Sequence, residues 1–396
     1  MKRFRKHLEK FFEGTLFLSS TITSLTVIFI IIFLFKEGLG IFNKRPTEPN
    51  YFIAVNAQNP LSKLTSKQIK DIFNQDVTNW QKFGGKNDSI ILLTTSEITS
   101  LYTEEQLGSS FENMPKLIGE YVSTHTGVIA YFSQTYYPKD FKGKYIPVEK
   151  ITVSEFLLGN EWYPTSVPAA QFGVLPLILG TLWVSLGAIL LALPIGLITA
   201  IYMAEVADER LRRILKPIIE LLAGIPSVVY GFFGLVVIVP LIQSTFKLPV
   251  GETALAGSIV LAIMALPTII TISEDALRTT PTSLREASLA LGATRFQTLM
   301  RVVVPYAKSG ITAASILGIG RAVGETMAVL MVTGNASVIP HSMLQPVRTI
   351  PATIAAELGE APFGGTHFQS LFALGIILFI ITMGFNMLVD LTRNKK

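Results

Sequence analysis

Long hydrophobic runs recur along this chain, and one polar stretch separates the first run from the rest. A helix that crosses a bilayer needs roughly 20 mostly apolar residues. Runs at 14–36, 174–203, 217–244, 254–273, 310–333 and 367–391 meet that length and predict six transmembrane helices. Several contain proline or glycine (Pro194, Gly196, Pro226, Pro240, Pro267). Helices in lipid tolerate these where neighbouring helices satisfy the freed backbone groups. The first run follows a basic head, 1–13, that carries Lys2, Arg3, Arg5, Lys6 and Lys10. A cleaved signal peptide would have a shorter apolar region and a small-residue cleavage site. This run is longer and ends in Phe35-Lys36-Glu37, which predicts an anchor instead.

The polar stretch, 43–169, has no spanning run. Short β-branched and aromatic segments (Tyr51–Val55, Ile90–Thr94) alternate there with helical patterns such as Ser66–Phe73. That alternation predicts a small inserted α/β domain of about 110 residues. The region 172–391 then forms a five-helix core, and 392–396 is a short tail.

Composition agrees with a membrane chain. Of 396 residues, 49% are hydrophobic and only 15% charged, against about 25% charged in a soluble domain. The net charge of +5 requires no nucleic-acid partner, because the basic residues sit beside the apolar runs. Arg210, Arg212, Arg213 and Lys216 lie between the second and third runs. Arg278, Arg285, Arg295, Arg301 and Lys308 lie between the fourth and fifth, and Arg393, Lys395 and Lys396 follow the sixth. The connections between the third and fourth and between the fifth and sixth runs carry Lys247 and Arg348 as their only Lys or Arg. Under the positive-inside rule both termini are cytoplasmic and 43–169 is extracytoplasmic. There is no cysteine, and His7, His125, His341 and His367 are scattered, so no metal or cofactor site is expected. No catalytic constellation is present either, and the chain reads as a non-enzyme.

The segment 274–308 is too regular for a plain connector. Ser283 followed by Glu286 has the spacing of a capping box, and Leu284, Ala287, Ser288 and Leu291 mark one helical face. Gly292 sits where a helix end needs positive φ, and a second helical piece, Arg295–Val304, runs to Pro305. On pattern alone this is either a helix–turn–helix knob or a solvated loop with one capped helix. Glu286-Ala287-Ser288, Gly292 and Val302-x-Val304-Pro305 resemble, spacing included, the EAA loop of ABC-importer permeases. Ser288 departs from that pattern, standing for the second alanine. The resemblance implies that the knob docks on a cytoplasmic ATPase. The chain has no Gly-x4-Gly-Lys-Ser/Thr loop, so ATP is expected to be bound by a separate polypeptide.

A narrower resemblance lies in Gly318–Asn335, Phe172–Leu182 and Leu222–Gly231, which look like the PstC-type phosphate permease; Met327-Ala-Val after Gly-Glu-Thr separates it from the sister PstA-type subunit. It implies a mainly α membrane protein with a MetI-like binding-protein-dependent ABC permease core and an extracytoplasmic α/β insertion. It also implies a PstA-type second permease, a PstB-type ATPase dimer, a PstS-type phosphate-binding protein and a multi-pass place in the bacterial inner membrane. A sulfate or molybdate importer, a passive channel or ion-coupled carrier, and a phosphate-sensing receptor are the alternatives.

Arg321 and Glu325 lie inside an otherwise apolar run. A charge at mid-membrane costs about 2.5–3.5 kcal/mol on insertion scales, so such residues face the protein interior or an aqueous path. Spaced four apart, they are expected on one helical face and able to pair. Gly318, Gly320, Ala322 and Gly324 leave room for close approach, and a guanidinium matches phosphate oxygens with a planar fork. A structural ion pair remains the other reading. The resemblance implies a phosphate path that includes Arg321, Glu325 and Thr326.

In the outer domain, Ala54–Phe73, Thr78-Asn-Trp80, Gly84-Gly85 and Thr124–Tyr131 resemble one lobe of a PstS-type protein. Proteins of that type grip phosphate with a Ser-Gly-Thr stretch at a helix start. Here the chain reads Thr95-Ser96-Glu97-Ile98-Thr99-Ser100, without the glycine and with a negative charge. The lobe is expected to dock a separate binding protein or to gate the outer mouth next to Phe172–Leu175, with Thr95, Ser96 and Thr99 left as donors for weak phosphate binding at most.

Overall fold

The computed structural model describes residues 2–48, 50–138 and 141–394; Lys395 and Lys396 of the expected tail lie outside them. Among the described residues six helices are long and apolar enough to cross a membrane: Phe11–Asn43, Leu175–Val206, Ser227–Phe246, Ala254–Arg278, Arg295–Gly324 and Thr366–Met387. The chain divides into two compact units. One comprises 1–38, 174–363 and 368–396, and the other 39–173 with 364–367.

The chain opens with α1 (Lys2–Leu39), then enters the polar unit. Its sheet has the order β2-β3-β1-β4. β1 (Tyr51–Val55) runs antiparallel to β3 (Val128–Ser133) and to β4 (Lys144–Tyr145), and β2 (Ile91–Leu93) runs parallel to β3. Successive strand residues point to opposite faces, so each strand feeds two cores. Phe52, Ala54, Ala130 and Phe132 pack with α3 (Thr95–Leu101), α4 (Glu104–Leu107) and α5 (Met114–Thr124) through Ile98, Leu107, Met114 and Ile118. Ile53, Val55, Ile129 and Tyr131 pack on the other face with Ile69 and Ile72 of α2 (Ser66–Phe73) and with Trp80. Burial on both faces explains why β1 and β3 read as continuous apolar runs. The unit closes with α6 (Val153–Leu158) and the pair β5 (Trp162–Tyr163) and β6 (Gln171–Phe172).

The membrane unit is organised around two helices, α7 (Leu175–Ile201) and α11 (Ala254–Arg278). α7 buries Gly180, Val184, Ala188, Ala192, Gly196 and Ala200, one every fourth residue. This stripe of small side chains lets α11 come close, as membrane helix pairs require. A Cβ on Gly196 would lie 2.7 Å from Ile269 of α11, so the pair closes only because that atom is missing. Between the two helices come α8 (Glu209–Ala223), α9 (Ser227–Phe233) and α10 (Val239–Phe246). After them come α12 (Thr282–Ala290), α13 (Arg295–Thr298), α14 (Val304–Gly324), α15 (Met327–Val332), α16 (Ile350–Glu357) and α17 (Thr366–Asn394). α1 leans on α17 through edge-to-face ring pairs, Phe33 on Phe372 and Phe35 on Phe379, with centroids 5.5 and 6.5 Å apart.

Two spans differ from the sequence expectation. The third does not begin at 217. Residues 217–223 complete α8, an amphipathic helix, and the apolar helix starts at Ser227. The break falls at Gly224-Ile225-Pro226, where Pro226 is extended (φ −59°, ψ 142°). A proline lacks the N–H that a continuing helix needs and disfavours helical geometry in the residue before it. The fifth span does not occupy 310–333. It begins at Arg295 and runs through Pro305 to Gly324. A π turn over Leu299–Val303 directly precedes Pro305, which sits in the first turn of α14, and so the helix passes the proline. The helix then stops at Glu325, and α15 starts afresh at Met327.

Candidate functional site

The break after α14 sets the geometry around Arg321. Glu325 is extended (φ −71°, ψ 134°) and follows the last turn of the helix that carries Arg321. The two residues therefore do not share one continuous helical face. Among the described residues no carboxylate lies within ion-pair distance of Arg321, so the single helical face expected for the two residues is corrected and the pairing it would allow is not made. Glu325 instead turns its carboxylate toward the start of α15 and accepts from the Ala328 N–H at 3.4 Å, where a negative charge suits the exposed N–H groups of a helix start. The Thr326 hydroxyl donates to the Gly324 carbonyl at 3.3 Å, across the break.

Arg321 is partly buried, and its neighbour Ala322 shares a buried cluster with Tyr230 on α9. The Tyr230 hydroxyl donates to the Leu222 carbonyl of α8 at 2.7 Å. Gly318 faces α11, where a Cβ would meet Ile269 at 2.8 Å, while Gly320 and Gly324 have nothing within 4 Å. The charge thus stands on a helix packed on one side and open on another. A guanidinium there, bound to no protein carboxylate, can take an anion.

The knob is present, with altered caps. α12 begins at Thr282 behind Pro281, which makes no side-chain cap. Ser283 and Glu286 both lie inside the helix, so the expected capping box between them does not form, and Glu286 and Ala287 are exposed. A capping box does form at the start of α13. Thr294 accepts from Gln297 N–H at 3.2 Å, and Gln297 accepts from Thr294 N–H at 2.9 Å. Gly292 adopts φ +85°, as the pattern requires. The Ser288 hydroxyl bonds that of Thr298 at 2.9 Å and ties α12 to α13, so the departure from alanine has a bonded partner. Leu291 (89% exposed) and Phe296 (69%) stand outward. A cavity of about 490 Å³ lies beside Phe296, lined also by Glu205, Arg285, Leu289, Thr298 and Leu299. Pro305 is exposed at the start of α14.

Sequence reasoning missed the charge cluster behind this knob. Glu274 on α11 is fully buried and faces Lys216 Nζ at 3.2 Å, Arg278 at 3.7 Å and Arg212 at 4.0 Å. Lys216 also pairs with Asp275 at 2.8 Å. Burial opposes charge on Lys216, but hydrogen bonds to Asp275 and Glu274 outweigh it and hold its pKa above the ordinary value. Arg285 of α12 binds Glu205 at 2.9 Å and the Leu277 carbonyl at 2.9 Å. The available signal was a carboxylate in the last turn of an apolar helix, which an expected span end at 273 placed in a loop. A second inward pair, Arg348–Glu357 at 2.7 Å, braces α16.

In the polar unit Glu97 folds back on its own helix. Its carboxylate accepts from the Thr94 N–H at 3.0 Å and from the Thr94 hydroxyl. Burial pushes its pKa up, but the Thr94 hydroxyl and the N–H groups of the helix start outweigh that and hold it below the ordinary value.

Residues 192–394 match the family described as binding-protein-dependent transport system inner membrane component. The chain belongs to this family. With six spanning helices it is a multi-pass inner-membrane protein. Residues 50–181 match the PBP superfamily domain. A Bacillus subtilis relative, "Probable ABC transporter permease protein YqgH", is 43% identical over 249 residues, 63% of this chain and 80% of that one. "Phosphate transport system permease protein PstC" of Mesorhizobium japonicum is 41% identical over 246 residues, 57% of this chain and 74% of that one. Among solved structures, an inward-facing MetNI methionine ABC transporter chain aligns with a TM-score of 0.41 and 24% identity over 55% of this chain and 93% of that one. The permease match takes in α8 to α17 whole, and so includes the knob, the Glu274 cluster and the break at Glu325.

Proposed function

We propose that this chain is the transmembrane permease subunit of an ATP-driven importer of inorganic phosphate. The observation that carries this is its 41% identity to a phosphate transport permease of which it covers 74%. Arg321, bound to no carboxylate at an interrupted helix, supplies the chemistry such a role needs. In this reading Arg321, Glu325 and Thr326 line the anion path. Glu286, Ala287, Ser288, Gly292 and Pro305 belong to the loop that meets the ATPase. The chain makes one half of a heterodimeric pore with a second permease of PstA type. A PstB-type ATPase dimer binds and hydrolyses the ATP, and this chain holds no cofactor. The end of the membrane unit that bears the knob and the Arg-rich connections faces the cytoplasm, as do both termini.

A PstS-type protein delivers phosphate from outside, and the inserted lobe serves it as a docking surface. Glu97 already occupies the N–H groups that an anion would need, which supports docking over tight binding by the lobe itself. The test is ATP-dependent anion uptake by the four-component complex in proteoliposomes. Saturable phosphate uptake that sulfate and molybdate do not compete away is the expected result. Uptake of sulfate or molybdate in its place would overturn the reading.

A further inference from the structure

We infer that Glu274 is a positioning residue of the transport cycle, fastening α8 to α11 so that movement of the knob reaches the helix break beside Arg321. The inference rests on the importer reading above. α8 buries no residue of its own. Its charged hold on the rest of the unit is the pairing of Arg212 and Lys216 with Glu274 and Asp275. Glu274 is fully buried, and its two carboxylate oxygens have no neutral hydrogen-bond donor, so cations alone balance its charge. Removing a partner from a buried charge is strongly unfavourable, and this keeps the two helices together through a conformational change.

The contacts around this joint are continuous. Arg285 of α12 grips the Leu277 carbonyl in the last turn of α11, three residues past Glu274. Glu274 holds Lys216 and Arg212 of α8. α8 leads through Gly224-Ile225-Pro226 into α9, and Tyr230 of α9 spans that hinge by donating to the Leu222 carbonyl. Tyr230 belongs to the same buried cluster as Ala322, the residue that follows Arg321. A push on α12 by an ATPase thus passes along α11 to α8, and from α8 across the hinge to the surroundings of the anion-path arginine. Arg213 pairs only within α8, with Glu209 at 3.0 Å, and is outside this chain of contacts.

The experiment measures ATP hydrolysed per anion transported by the complete reconstituted complex. Glu274→Gln and Lys216→Gln are compared with wild type and with Arg213→Gln. Both test variants are expected to co-purify the ATPase at wild-type stoichiometry and to raise the ratio about tenfold, within the usual range of coupling between sites, while Arg213→Gln leaves it unchanged. Ratios at the wild-type value in both test variants would overturn the inference, even if uptake and hydrolysis fell together, because a joint fall marks a merely structural role. Should Glu274→Gln not assemble, Lys216→Gln decides by the same criterion. If the wild-type complex moves sulfate or molybdate in place of phosphate, the ratio is read with that anion. The anion assignment then falls while this test still stands.

Discussion

Two groups of charges are set into the apolar helices of the membrane unit, and they are held in opposite ways. Around Glu274 three cations converge on one carboxylate that has no exposure at all. Around Arg321 the nearest acidic group by sequence has turned away to the start of α15. A saturated cluster fixes helices relative to one another. A cation left without a carboxylate keeps its binding capacity for something else. The difference separates a joint between helices from a site open to an anion better than a charge on an apolar helix does, since both groups share that property.

Stripping the saturated cluster should have the largest effect. Arg212→Ala with Lys216→Ala leaves Glu274 buried with one partly exposed cation, and should cost about 3–5 kcal/mol. Thermal unfolding of the purified complex would show it, and a melting temperature equal to wild type would erase the contrast. The open site should behave the other way. Arg321→Lys keeps the charge and loses the fork, and should cut phosphate uptake on the order of a hundredfold, equivalent to about 2.7 kcal/mol, with the melting temperature unchanged. Uptake near wild type would return Arg321 to a structural role.

A smaller effect is expected at the knob. Gly292 has open space where a Cβ would stand, so only its φ of +85° resists substitution. Gly292→Val should cost about 1–2 kcal/mol at the turn and release the ATPase during co-purification; an intact complex would count against the docking role. Ser288→Ala removes the bond to Thr298 and should lower stability by about 1 kcal/mol, read from the same melting curves.

The last effect is local. Glu97 has a lowered pKa, so its contribution is complete above its ordinary value of 4.5 and disappears as pH falls through the lowered value. Hydrogen exchange at the Thr94 amide should accelerate only in that acidic range. Exchange that is flat with pH would mean that Glu97 does not cap this helix in solution.

The spans were legible in the sequence because twenty apolar residues in a row leave few alternatives. The turn at Gly292 was legible because positive φ selects glycine. The break at Glu325 was not, because Arg321 to Met331 contains no proline and keeps good helix formers on both sides. Pro226 and Pro305 misled in opposite directions. One ends a helix that was drawn through it, and the other is passed by a helix that was expected to stop. A π turn lies before Pro305 and none lies before Pro226, and the local difference is Gly224, two residues before Pro226, against the valines before Pro305. Glu274 was hidden because its partners are on α8, some 60 residues earlier, and a single chain read linearly does not bring them together.

The π turn over Leu299–Val303 also has an angular consequence. Each residue of an α-helix advances the direction of its side chain by about 100°. A π turn places one residue more in a turn than an α-helix does. It therefore sets the rotational phase of everything downstream, including Arg321 about five turns later along the helix. Regularising the turn with all five residues kept would swing the guanidinium by about 100° around the axis, whereas deleting one residue within 299–303 would remove the turn and leave that direction nearly unchanged. The direction in which the arginine points is thus written into the membrane helix at its other end, next to the knob.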